Sequence, residues 1–198
     1  MINKGFVIRN PFANNWMKVL ETEQETEGQG WLLEYHYPEK GGPDILEHIH
    51  ITWTETFEII SGQCTYKLNG QKLTAGAGDK IVMPPRQPHI HPWNSGDTEL
   101  VYLQKNDFGS ADYQAVQDVI GVFATRSGLM RDGLCDKRGR PKNLFQLMVT
   151  LKLLTKHGGY DASQPVFVQN FLAATLGTLG EMLGYKAVIE KYLLLNNE

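Results

Sequence analysis

Apolar and polar residues alternate in short runs from about Trp16 to Lys105. A period of two sends alternate side chains to opposite faces of a strand. The runs Trp31–Tyr37, Ile45–Thr52, Phe57–Ile60, Cys64–Leu68, Lys80–Met83 and Leu100–Leu103 are the strand candidates. Turn-forming clusters separate them: Lys40-Gly41-Gly42-Pro43, Ser61-Gly62, Asn69-Gly70, Gly76 to Asp79, and Asn94 to Asp97. Asn69-Gly70 is the sharpest, because a type I′ hairpin needs positive φ at both central residues. Many short strands at this spacing predict a mainly β fold, a sandwich or barrel.

After Phe108-Gly109 the period changes. Ser110 can cap a helix through Tyr113, Val116, Val119, Ile120 and Phe123. A glycine-rich basic loop, Gly133 to Pro141, follows, and a second helix is predicted from Asn143 to about His157, stopped by Gly158-Gly159. Ser163 and Pro165 open a third helix that ends near Gly184, and a short fourth covers Lys186 to Leu195. No internal repeat is visible. The chain divides into a β unit over residues 1–109 and an α-helical extension over 110–198.

Composition narrows the class. At 198 residues, with 41% hydrophobic and 21% charged residues, the chain is globular and long enough to bury a sizeable core. The net charge of −3 is unevenly spread: 9 Lys/Arg face 14 Asp/Glu in residues 1–109, whereas 10 face 8 in residues 110–198. Neither half has the basic excess of a nucleic-acid binder, and no Lys or Arg lies between Pro165 and Tyr185 to serve a recognition helix. Cys64 and Cys135 are the only cysteines, too few for a disulfide framework, and the opening MINKGFVIRNPF has no apolar core of signal-peptide length. A cytoplasmic setting is expected. No run of 18 apolar residues suggests a membrane span. The cations Lys137, Arg138, Arg140 and Lys142 precede an apolar helix, so contact of the C-terminal helices with a membrane surface is weighed, against a solvated loop beside packed helices.

The chemistry concentrates around histidine. His48 and His50 stand one residue apart, so on a strand both point to one side; Glu55 follows at fixed spacing, and Pro88-His89 supplies a third imidazole. Imidazole nitrogens with a carboxylate oxygen suit a divalent Zn, Fe, Mn or Ni ion. The stretch Gly42-PDILE-His48-Ile-His50-ITWT-Glu55-TFEIIS-Gly62 reads G-x5-H-x-H-x4-E-x6-G, and Gly78-DKIVM-Pro84-Pro85-Arg86-Gln87-Pro88-His89 approximates G-x5-P-x-G-x2-H-x3-N. Over roughly residues 15 to 106 the chain therefore resembles the cupin superfamily. Two positions depart from the family pattern. Arg86 stands where a glycine usually permits a positive-φ turn, and Asn94 comes one residue late. The late Asn94 leaves His89 or His91 as the last ligand; His89 keeps the family's distance from Pro84.

The resemblance implies a double-stranded β-helix (jelly roll), a metal held by His48, His50, Glu55 and His89, and a homodimer. Candidate pocket residues are His91, Tyr35, Trp53, Arg86 and Trp93, since aromatic walls with a few placed polar groups make small-molecule sites. His36 reads as a rim histidine, and His157 as a helix C-terminal residue suited to the dipole. The functional expectation is a metal-binding cupin acting on a small polar molecule, as a dioxygenase or isomerase; the alternative is a non-enzymatic ligand-binding or sensing module, with or without metal. No separate acid or base is assigned.

Overall fold

The structure, a computed structural model, describes residues 1–194. Two antiparallel sheets face each other. One has the strand order β1-β2-β3-β10-β5-β8 and the other β11-β4-β9-β6-β7. The strands of the first are β1 (Val7–Asn10), β2 (Asn15–Glu21), β3 (Gly30–Tyr37), β5 (Thr54–Ser61), β8 (Lys80–Met83) and β10 (Leu100–Asp107). Those of the second are β4 (His48–His50), β6 (Gln63–Leu68), β7 (Gln71–Gly76), β9 (His89–Asn94) and β11 (Gly159–Asp161). The double-stranded β-helix expected from the sequence is present, followed by helices.

Alternation builds the interior. Along β3, Trp31, Leu33, Tyr35 and Tyr37 are buried, and Phe57, Ile59 and Tyr102 meet them from β5 and β10. Tyr35 and Tyr37 each stack on Tyr102, at 4.9 and 6.0 Å between ring centroids. Trp31 meets Trp53 and Phe108 edge-on at 6.0 and 5.4 Å. A fully buried ring such as Phe57 contributes roughly 1.5–3 kcal/mol. The Asn69-Gly70 hairpin takes φ of 52° and 75°, as a type I′ turn requires, and joins β6 to β7.

The helices are α1 (Tyr113–Arg131), α2 (Leu144–Lys156), α3 (Val166–Leu172) and α4 (Thr178–Met182), the last two joined by a π-helical stretch (Ala173–Gly177), then α5 (Glu190–Leu194). Three details differ from the sequence expectation. Asp112, not Ser110, caps α1, accepting from the Ala115 N–H at 2.9 Å. The third helix contains a π-helical segment that no local sequence signal announces. The fourth begins at Glu190; its predicted last residue, Leu195, lies outside the described residues. Among the described residues no helix is long and apolar enough to cross a membrane.

The two halves are stitched together. β11, from between α2 and α3, pairs antiparallel with β4: Gly159 with His50 and Asp161 with His48. At the other end, Gln117 on α1 accepts from Ile2 N–H and donates to the Ile2 carbonyl. Strand β4, the carrier of both motif histidines, is thus held between the barrel strand β9 and a strand from the helical region.

Candidate metal centre

β4 places His48 opposite His89 of β9. Glu55 lies near the start of β5, and His91 lies two residues beyond His89, on the same strand face. One ligand-type atom from each of His48, Glu55, His89 and His91 falls within 4.8 Å of the others. The Glu55 Oε2 is 3.0 Å from His89 Nε2 and 2.8 Å from His91 Nε2. His50 stands at the margin, its Nδ1 3.9 Å from the same oxygen.

Second contacts orient the donors. Glu55 Oε1 accepts from Gln104 Nε2 at 3.0 Å and Asn106 Nδ2 at 2.9 Å, two β10 side chains that fix the carboxylate plane. His48 Nδ1 lies 2.8 Å from the Leu46 carbonyl, and His89 Nδ1 lies 2.8 Å from the Gln87 carbonyl. A carbonyl only accepts, so each Nδ1 carries the hydrogen and each Nε2 is left with a lone pair directed inward, the arrangement by which metal-binding imidazoles are usually held.

This tautomer bears on whether a metal fits. A neutral His89 would set its Nε2 lone pair against a carboxylate oxygen 3.0 Å away, which is repulsive without a positive charge between them. A proton or a metal ion can supply it. In the metal-free chain burial pulls the His89 ring down, yet the Glu55 hydrogen bond and charge outweigh it and raise the ring above its ordinary value. Burial pushes His48 well down, helped by His89 and His91, and pushes His50 down to about 4. Burial favours the neutral acid at Glu55, but His91, His50 and the two imidazole hydrogen bonds hold it well below the usual carboxylate range. The result is one carboxylate and at least two neutral imidazoles in a dry setting. The buried His50 Nδ1 has no hydrogen-bond partner among the described residues. An orphaned imidazole nitrogen beside a convergent His/Glu set fits a divalent ion of the borderline class.

The cluster opens onto a cavity of about 390 Å³ that His48, His50, Trp53, Glu55 and His91 line from the barrel side. Trp53 lies against His50 at 4.3 Å between centroids. Tyr35 instead lines a smaller adjoining pocket, shared with His91. Arg86 is exposed and Trp93 is buried against β6, and neither lines the cavity. Arg86 nevertheless takes φ +65°, so the motif turn keeps its glycine conformation with an arginine in it. Asn94, although one residue late, is buried and structural: it donates to the Tyr37 and Thr98 carbonyls and accepts from the Gly96 N–H. His36 stacks on Trp16 at 3.7 Å and bridges Glu34 and Glu99, while His157 binds Asp118 of α1 at 2.8 Å.

Sequence reading missed the far wall of the cavity, which comes from α1 and α2 and is mostly aliphatic. The helical period showed that these faces are apolar, but not that they cover the mouth of the barrel.

The cupin domain family model matches residues 35–104. Quercetin 2,3-dioxygenase of Bacillus subtilis (strain 168) is 29% identical over 84 residues, 42% of this chain and 24% of that enzyme, so the match spans about a quarter of the relative's length. Among solved structures, a predicted oxalate decarboxylase from Thermotoga maritima is 21% identical, over 47% of this chain and 79% of that one, with a TM-score of 0.42. An uncharacterized conserved protein with a double-stranded β-helix domain from Klebsiella pneumoniae is 26% identical, over 57% and 85%, with a TM-score of 0.40. Both motifs are seated in a double-stranded β-helix, and the match to the cupin domain family lies within that same barrel.

Proposed function

We propose that this chain is a metal-dependent cupin that receives a small molecule in the cavity beside the ion and acts on it as a dioxygenase or isomerase. The observation that carries this reading is the convergence of His48, Glu55, His89 and His91 within 4.8 Å at the wall of a cavity of ligand size. These four would hold the ion, with His50 next in reach. A bound ion of this class supplies Lewis-acid polarisation of a ligand oxygen or, for iron, redox chemistry with dioxygen.

The chain's own residues do the remaining work. Gln104 and Asn106 keep the Glu55 carboxylate oriented. The Leu46 and Gln87 carbonyls fix two imidazole tautomers. Trp53 and the helical wall exclude water from the reacting end of the ligand. The likeness to quercetin 2,3-dioxygenase supports oxygenation among the reactions known for cupin sites.

Elemental analysis of protein purified without chelator, followed by oxygen-electrode measurement, tests the reading. About one equivalent of transition metal per chain is expected, with oxygen uptake dependent on added organic substrate. Metal below about a tenth of an equivalent, not restored by Fe, Mn, Zn or Ni, contradicts the metal reading. A full equivalent of metal that binds ligand without turning it over gives the ligand-binding module instead.

A further inference from the structure

The cavity has one feature that the metal centre does not use. Its helical wall is aliphatic, with Val119, Val122 and Leu129 from α1 and Leu147, Leu151 and Leu154 from α2. Set in that wall is Arg126, half-buried. Its Nε donates to the Gly139 carbonyl at 3.2 Å, and its Nη2 to the Asp44 carbonyl at 2.7 Å and the Arg138 carbonyl at 3.5 Å. All three acceptors are neutral backbone oxygens, and Nη1 makes no hydrogen bond among the described residues.

The neighbouring charges do not neutralise it. Asp44 turns its carboxylate to Tyr37, Asn10 and Asn15, leaving only its backbone oxygen for the arginine. On the same cavity wall, Asp161 pairs with Arg140 at 3.7 Å, and Arg138 is exposed. Arg126 forms no ion pair among the described residues, although burying a guanidinium without a counter-ion is costly.

The loop around it is shaped to keep it there. Gly139 has φ +72°, and a Cβ at that position would come within 2.5 Å of Arg126 Nη2 and 2.9 Å of Nε. The glycine thus leaves room for the guanidinium, and the carbonyls of residues 138 and 139 hold it. An arginine fork fixed in this way, with an open edge beside the aliphatic wall of α1 and α2, is a receptor for a planar anion.

Resting on the reading of the cavity as the ligand site, we propose that Arg126 is the specificity-determining anchor for an amphipathic carboxylate: an aliphatic body lies along α1 and α2, and its carboxylate is held by the Arg126 guanidinium. This departs from the small polar molecule expected from the sequence: the ligand is largely apolar, with a single anionic end.

The test is calorimetric titration of the full chain, chelator-treated so that no metal can hold the carboxylate, with decanoate and with decan-1-ol. Decanoate is expected to bind at least about tenfold more tightly than the alcohol. Arg126→Gln should abolish the preference while alcohol affinity stays within about threefold, since the apolar contacts are unchanged. Gly139→Ala should weaken the preference with the arginine still present, and Arg126→Lys should restore only part of it. Equal affinity of the unmodified chain for both probes, binding of neither, or a preference that survives in a folded Arg126→Gln variant overturns the proposal. Metal content of the same variants purified without chelator separates this from the metal reading: a failed anchor leaves the metal equivalent unchanged, and a failed metal site leaves the carboxylate preference intact.

Discussion

Arg86 occupies a left-handed turn at φ +65° with an exposed side chain, while its backbone N–H donates to the His50 carbonyl at 2.6 Å. A side chain with a Cβ is strained in that region and glycine is not, so Arg86→Gly is expected to stabilise the chain by about 0.5–1 kcal/mol in urea unfolding. A loss of stability would show that the arginine side chain makes a contact of its own. The buried imidazoles set a pH dependence. His48 and His50 are pushed below the ordinary value of 6.5, so below about pH 6.5 the unfolded chain binds more protons at these sites, and their contribution is lost as pH falls. His89 has the opposite sign: its raised value contributes stability that is fully present below about pH 6.5 and is lost as pH rises through the folded value. Between about pH 6 and pH 5 the loss at His48 and His50 outweighs what remains of the His89 change, and the depressed Glu55 carboxyl begins to add to that loss, so the thermal midpoint of chelator-treated protein should fall over that interval. His50→Gln should make the fall shallower; an unchanged slope contradicts the assignment.

At the scale of elements, helix α1 carries much of the cavity wall and depends on its start. Asp112 Oδ1 caps it through the Ala115 N–H. Asp112→Ala is expected to cost about 1 kcal/mol, and Ser110→Ala less than about 0.5 kcal/mol, in denaturant unfolding. The reverse order would move the cap to Ser110, as the sequence suggested. That ambiguity shows which elements can be read from residues alone. Strands with a buried alternation, such as β3 and β10, were plain in the pattern. β7 was not, because Gln71, Lys72 and Thr74 are exposed and its edge position demands no apolar alternation. β11 is three residues long and exists because β4 offers it an open edge, a pairing that no local signal encodes.

For the whole molecule, the motifs placed the barrel and the convergence of β4, β5 and β9, because fixed spacing on paired strands is a local matter. They left His89 and His91 as alternatives for the last ligand, since a period of two puts both on one strand face, and only the register of the sheets sets that both ring tips meet Glu55 while His50 stands at the margin. The helical wall and Arg126 were hidden for a different reason: their place over the barrel mouth depends on long-range packing. If the centre binds a metal in the folded chain alone, free ion at about a hundredfold excess over its dissociation constant adds about 2.7 kcal/mol and raises the thermal midpoint by roughly 5–10 °C. No rise with any of Fe, Mn, Zn or Ni contradicts a folded-state site. The most direct measurement is anomalous diffraction at the absorption edge of the metal that the purified protein retains. One peak is predicted, within about 2.0–2.3 Å of imidazole nitrogens from β4 and β9 and a Glu55 oxygen. A map with no peak among these side chains, or with its peak elsewhere on the molecule, contradicts the account.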